Sequence, residues 1–117
     1  MDIERWPGGA IGRSRMSALG NLLWVVSNAR NPRGDFEAQV TESLDLLDSA
    51  LQEGGSDRTR MLSVQVLLQD METKDAFDAR WREWLGPDPA AWPQRACYQA
   101  GLSGGLLVEM IVVAARR

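Results

Sequence analysis

Apolar residues recur along this chain with two periods. Between Asp35 and Glu53 they fall at Phe36, Val40, Leu44, Leu47 and Leu51. Steps of four and three place one apolar stripe on a helix. Asp35 and Glu37 suit the positive end of that helix, and Gly54-Gly55 supplies its stop. A second helix is predicted from Thr73 to Leu85, capped by Thr73, with Phe77, Trp81, Trp84 and Leu85 on its inner face. A tryptophan stripe at helical spacing belongs to a core far more often than to a ligand platform.

The other period is two. From Arg60 to Asp70, Leu62, Val64, Val66 and Leu68 alternate with Ser63, Gln65 and Gln69, predicting a strand with one apolar and one semi-polar face. Leu106 to Val113 is apolar on both faces, as in a strand covered on both sides. Leu106, Val108, Met110 and Val112 point one way, and Leu107, Ile111 and Val113 the other. Met16–Leu19 and Leu22–Ser27 flank Gly20-Asn21, a two-residue hairpin turn, and Leu22, Trp24 and Val26 share a face. Ile3–Trp6 is a short strand stopped by Pro7-Gly8-Gly9. Asn28–Gly34 is a polar loop whose Arg30 and Arg33 read as solvated charges. The three prolines between Gly86 and Pro93 exclude regular structure and make a semi-rigid arm ahead of Arg95. The resulting order is three strands, helix, strand, helix, two strands. This is an α+β fold with a mixed sheet and two helices on one face.

At 117 residues the chain has the length of one domain, residues 1–117. A chain this small cannot cover both faces of a wide sheet, so the doubly apolar strand points to a partner subunit. The net charge of −3 and the absence of a basic stripe disfavour nucleic acid. The single cysteine, Cys97, excludes an internal disulfide framework and fits a reducing compartment. With no histidine, Ser-His and Cys-His nucleophile schemes are excluded, and the commonest metal ligand is missing. No apolar run is long enough to span a bilayer, and Met1–Arg5 lacks a signal pattern. The expectation is a soluble cytoplasmic protein without a cofactor or metal.

One carboxylate, Glu109, interrupts the final apolar strand, where it costs several kcal/mol unless it is paired or lies at a polar cleft. Arg95 opens the preceding strand. A hairpin across the Gly-rich turn at residues 101–105 would bring the two side chains together. Two readings stay open: a structural ion pair at a strand end, or the charged mouth of a ligand cleft.

Several stretches resemble the Rid family, the reactive intermediate deaminases also called YjgF proteins. Leu23-Trp24-Val25-Val26-Ser27 resembles its strand ending in Ser-Gly-Gln. Phe36-Glu37-Ala38-Gln39-Val40 through Leu51 is similar to its first helix, and Arg60 through Met71 to the next strand and its exit. Arg95-Ala96-Cys97 and Val108-Glu109-Met110 resemble the family's Arg-x-Cys and Val-Glu-Ile stretches. The likeness runs from about Arg15 to Ala114.

That resemblance implies a chorismate-mutase-like fold and a homotrimer, with three sheets forming a barrel and a small cleft between subunits. It implies hydrolysis of 2-imino acids, including those derived from 2-aminoacrylate, to 2-keto acids and ammonia. By match to the family's positions, Arg95 holds the substrate carboxylate and Glu109 positions a water. Cys97 lines the site, Ser27 lies near it, and Asp78 stands where the family has an asparagine. A guanidinium fork suits a carboxylate because it binds bidentately, where lysine offers a point charge. The alternative is a non-catalytic trimer of the same fold that binds a small carboxylate or a protein.

The chain also departs from the family pattern. Ser27-Asn28-Ala29 replaces Ser-Gly-Gln, removing a glycine that lets a ligand approach the backbone. Gly12-Arg13-Ser14-Arg15 stands where an aromatic lines the site, and Ser103 replaces a proline. Asp78 would repel a substrate carboxylate if it faced the cleft.

Overall fold

The computed structural model describes residues 1–117 as one six-stranded sheet with two helices on one of its faces. The strands are β1 (Ile3–Pro7), β2 (Ser14–Leu19), β3 (Leu22–Asn28), β4 (Met61–Leu68), β5 (Gln94–Gln99) and β6 (Val108–Ala115). The helices are α1 (Phe36–Glu53), between β3 and β4, and α2 (Lys74–Leu85), between β4 and β5. Spatial order across the sheet is β1-β2-β3-β6-β4-β5. All neighbours are antiparallel except β4 and β5, which run parallel with α2 in their connection. The expected α+β class and element order are therefore observed.

The core lies between the sheet and the helices. Val40, Leu44, Leu47 and Leu51 of α1 are buried against Leu23 and Val25 of β3, Val64, Val66 and Leu68 of β4, and Val108, Met110 and Val112 of β6. Burying each such side chain stabilises by about 1.5–3 kcal/mol. Asp35 is the N-cap of α1, its carboxylate accepting from Ala38 N, and Gly55 takes φ +83° just past the helix end. Phe77, Trp81 and Leu85 of α2 are buried in the same core, as their spacing predicts.

Two expectations are corrected. The first concerns β5 and β6, which do not form a hairpin. β6 inserts between β3 and β4, while β5 lies outside β4 at the sheet edge. A strand apolar on both faces belongs in the middle of a sheet, and the eight residues between β5 and β6 are enough to cross one strand. The second concerns Leu62, which is exposed rather than part of the apolar face of β4. Register against β6 jumps between Met61 and Ser63, so Leu62 is the extra residue of a bulge. The outer face of β6 is open within one chain, as the small size of the chain leads one to expect. Ile111 and Val113 are only half-buried, and beside them Leu22, Trp24 and Val26 of β3 are exposed. Within one chain this face of the sheet has no cover.

One polar side chain holds the loops in place. Gln39 of α1 is fully buried, donating through Nε2 to the carbonyls of Pro32, Gly34 and Gly105, each at 3.1 Å. Its Oε1 accepts from Leu107 N at 2.9 Å. Gln39 thus fastens both the loop after β3 and the segment entering β6. Gly105 has φ +85°, which favours glycine, and any Cβ there would press on Pro32 O at 3.2 Å.

Candidate functional site

Arg95 is the second residue of β5, on the face of the sheet that carries the helices. Its side chain is 20% exposed and reaches α2, where Nη2 donates to Asp78 Oδ1 at 2.6 Å. The guanidinium carbon also lies 5.7 Å from the ring centroids of both Phe77 and Trp81, close enough for cation–π attraction. Asp78 in turn accepts from Lys74 Nζ through Oδ2 at 2.7 Å, one helical turn earlier. Burial pushes the Asp78 carboxyl up, but the hydrogen bonds from Lys74 and Arg95 and their charges outweigh it. The group is held below the usual carboxylate range.

Two cations share one carboxylate here, so the cluster keeps one net positive charge. A guanidinium has five N–H donors, and Asp78 is the only side chain to which Arg95 donates. The remaining donors form a fork that a bound carboxylate can engage bidentately. Asp78 faces the cluster, but Lys74 compensates its charge and removes most of the expected repulsion. Sequence reasoning missed Lys74, although its spacing of four from Asp78 was a usable signal.

Cys97 follows Arg95 by two residues on the same face and is half-buried against the core. Burial pushes its thiol up, and the nearby charges of Arg95 and Lys74 only partly oppose this. The sulfur therefore stays protonated at neutral pH, the form that is not nucleophilic.

Next to this cluster, between α2 and the Gly86–Pro93 arm, lies a cavity of about 300 Å³. Trp81, Leu85, Trp92 and Pro93 form its apolar lining, and Asp78, Arg82 and Arg95 its charged part. The arm is braced by its own bonds. Trp92 Nε1 donates to Gly86 O at 3.0 Å, Trp92 N to Pro89 O at 3.2 Å, and Ala90 N to Asp88 Oδ1 at 3.0 Å. Gly86 starts it at φ +93°, a conformation side chains rarely adopt.

Glu109 lies elsewhere. Arg95 is level with Val64 of β4, which is level with Val112 of β6. Glu109 is three residues from Val112, and an odd step along a strand reverses the face. Glu109 is therefore on the uncovered face, where its Oε1 accepts from Asn28 Nδ2 at 2.8 Å. The expectation that a hairpin brings Arg95 and Glu109 together is corrected for the single chain, and the partner of Arg95 is Asp78. Its premise was the β5–β6 hairpin, and β4 separates those strands.

Ser27 is buried, and its hydroxyl donates to Ser43 O of α1 at 2.7 Å. With Asn28, Arg15 and Arg30 it lines a second cavity, of about 550 Å³, near the turn after β1. Arg15 there is paired with Glu53 at 2.8 Å. The predicted site residues thus divide into three places: Arg95, Asp78 and Cys97 together at the β5 edge; Ser27 beneath α1; and Glu109 with Asn28 on the uncovered face. No group of three or more Cys, Asp or Glu side chains is placed to hold a metal ion.

This arrangement occurs in a chain with many known likenesses. The family described as Endoribonuclease L-PSP matches residues 20–116. A RutC family protein of Haemophilus influenzae is 32% identical over 77 residues, spanning 65% of this chain and 65% of that protein. The RutC family protein YoaB of Escherichia coli is 29% identical over 96 residues, 81% of this chain and 82% of its own length. Among solved structures, an uncharacterized protein from Pseudomonas aeruginosa superposes with a TM-score of 0.89 at 37% identity, covering 99% of this chain and 100% of its own. A member of the YjgF protein family from Neisseria meningitidis gives the same TM-score at 27% identity, covering 100% and 97% respectively.

Proposed function

We propose, on the premise that this chain belongs to the endoribonuclease L-PSP family of YjgF, RutC and Rid proteins, that it is a cytoplasmic homotrimer hydrolysing 2-imino acids to 2-keto acids and ammonia. The observation that carries this reading is the state of Arg95. Its guanidinium is half-sheltered and braced on aromatic faces, and it gives one N–H to an aspartate already balanced by Lys74. Such a group is oriented, keeps a net charge beside it, and has donors left for a carboxylate.

The uncovered face supports assembly. Leu22, Trp24 and Val26 form an apolar patch beside Ile111 and Val113, of the kind that marks a subunit contact. In the trimer, Glu109 of a neighbouring copy approaches the edge that carries Arg95, and the site is composite. Arg95 holds the substrate carboxylate, and Glu109 orients a water towards the imine carbon. Oxygen adds to that carbon and one of the water's protons passes by way of Glu109 to nitrogen; the hydroxyl proton follows to nitrogen in the next step. The C–N bond of the resulting carbinolamine then breaks, releasing ammonia and leaving the ketone. No side-chain nucleophile takes part, because the Cys97 thiol is protonated and the Ser27 hydroxyl is bonded to α1.

One observation favours the second reading, a trimer that binds a small carboxylate without turnover. Asn28 already occupies one oxygen of Glu109 at 2.8 Å, leaving a single oxygen to hold water. The two readings separate on ammonia release from 2-imino acids formed in place by an amino-acid oxidase. Release above the uncatalysed rate, abolished in Glu109→Gln, is the expected result. Carboxylate binding without any acceleration would select the non-catalytic trimer. A monomer mass by light scattering at micromolar concentration would remove both.

A further inference from the structure

The cavity beside Arg95 has walls unlike what the smallest imino acids need. A three-carbon acid anchored on the guanidinium would leave the exposed Trp92 and the half-buried Pro93 facing water. Trp92 is 55% exposed, yet its indole N–H is bonded to Gly86 O and its backbone is stapled to Pro89. A large aromatic that is both exposed and fixed in place is unusual, since exposure costs apolar hydration without gaining freedom. Across the cavity Trp81 is held by stacking on Phe77, with ring centroids 6.0 Å apart. Both indoles are therefore pre-positioned, and a volume of about 300 Å³ lies at the small end of the range for ligand pockets.

We infer that the site selects 2-imino and 2-keto acids with an aromatic side chain, the carboxylate on Arg95 and the ring in the indole-lined cavity. The inference rests on the carboxylate-anchoring role proposed above and adds the substrate class. The aromatic ring gains offset or edge-to-face contacts with the indoles. Two arginines against one aspartate in the lining, with Lys74 behind that aspartate, favour an anion and disfavour a cationic side chain. Leu85 and Pro93 offer no polar atom to a hydroxylated or amide side chain, which would enter unsatisfied.

The test is calorimetric titration of the assembled chain with phenylpyruvate and with pyruvate, the 2-keto acids of the aromatic and the small class. Phenylpyruvate is expected to bind more tightly by about ten-fold or more, the scale on which apolar pockets discriminate. Trp92→Ala should bring the ratio close to one, and Trp92→Phe should restore most of it. Equal affinities, no binding of phenylpyruvate, or a ratio untouched by Trp92→Ala would each overturn the inference. A parallel turnover assay uses imines formed from phenylalanine and from alanine. Equal kcat/KM for the two overturns the aromatic selectivity and leaves hydrolysis standing. Preferred phenylpyruvate binding with no ammonia from either imine supports the aromatic pocket and overturns the hydrolysis.

Discussion

Gln39 and Arg95 are both long polar side chains drawn in against the core, and they use their hydrogen-bonding capacity in opposite ways. Gln39 is fully buried, and both ends of its amide are bonded to backbone at four places. Arg95 is partly exposed and gives one bond to a side chain that is itself shared with a lysine. Satisfied, uncharged and backbone-directed polarity fixes loops. Charged polarity with donors left over, at the edge of a cavity, is positioned to receive something. The difference separates a residue whose polar groups are all used by the fold from one with donors to spare, even where the sequence shows only a polar residue among apolar neighbours.

The contrast is broken most forcefully at Gln39. Gln39→Leu leaves Leu107 N and three carbonyls without their partner, and buried groups left unpaired cost about 1–3 kcal/mol each. Relaxation and water recover part of that, so a loss of roughly 3 kcal/mol is expected from urea unfolding. A loss below about 1 kcal/mol would show that the loops are fastened by other means.

Arg95→Ala should show the reverse. Ligand affinity is expected to fall by roughly 3 kcal/mol in calorimetry, as when one side of a desolvated charge contact is truncated. Stability should change by no more than about 1 kcal/mol, because Lys74 still partners Asp78. Arg95→Lys keeps the charge without the fork and should recover little of the affinity. Near-complete recovery would mean that only charge matters at this edge.

The smallest effect sharpens the comparison through pH. The carboxyl of Asp78 is depressed in the folded chain relative to an ordinary value of about 3.9. A depressed carboxyl stabilises the fold at pH values above its unfolded pKa, and that contribution disappears as pH falls through the folded one. Asp78→Asn should therefore lower stability by about 1 kcal/mol at pH 7, with the gap to the parent closing below about pH 4. It should also tighten anion binding, since a carboxylate beside Arg95 is gone. A stability gap independent of pH would assign the effect to packing instead of charge.

Much of the fold was legible because helix and strand periods are local. Phe36 to Leu51, Leu22 to Val26 and Val108 to Val112 declare their faces without reference to anything distant. Strand order is not local. Nothing in Gln94–Gln99 states that β5 lies outside β4, which puts a strand between Arg95 and Glu109, and the registers through β4 put the two on opposite faces. Leu62 was misplaced for a similar reason, since a bulge is a property of the register with β6. The chemistry of the β5 edge was half legible. The type and position of Arg95 and Cys97 marked them out, while the partnership of Asp78 with Lys74 required α2 to be seen lying over the strand. Gln39 carried no signal, because a lone glutamine inside an amphipathic helix looks like any solvated one.

The position of β6 has a consequence for how the molecule is made. It is the last strand in chain order and is threaded between β3 and β4 near the middle of the sheet. During synthesis, β1–β3 with α1 and β4–β5 with α2 emerge earlier, and neither group has its inner edge paired until β6 arrives. A nascent chain that has not yet made β6 therefore carries two open edges and an exposed apolar core, the condition in which strand-to-strand aggregation begins. Contacts such as Leu22 with Ala115 close loops spanning most of the chain, which delays the productive step further. A stop between residues 100 and 107 would yield a polypeptide with both helices and no means of joining the two parts of its sheet.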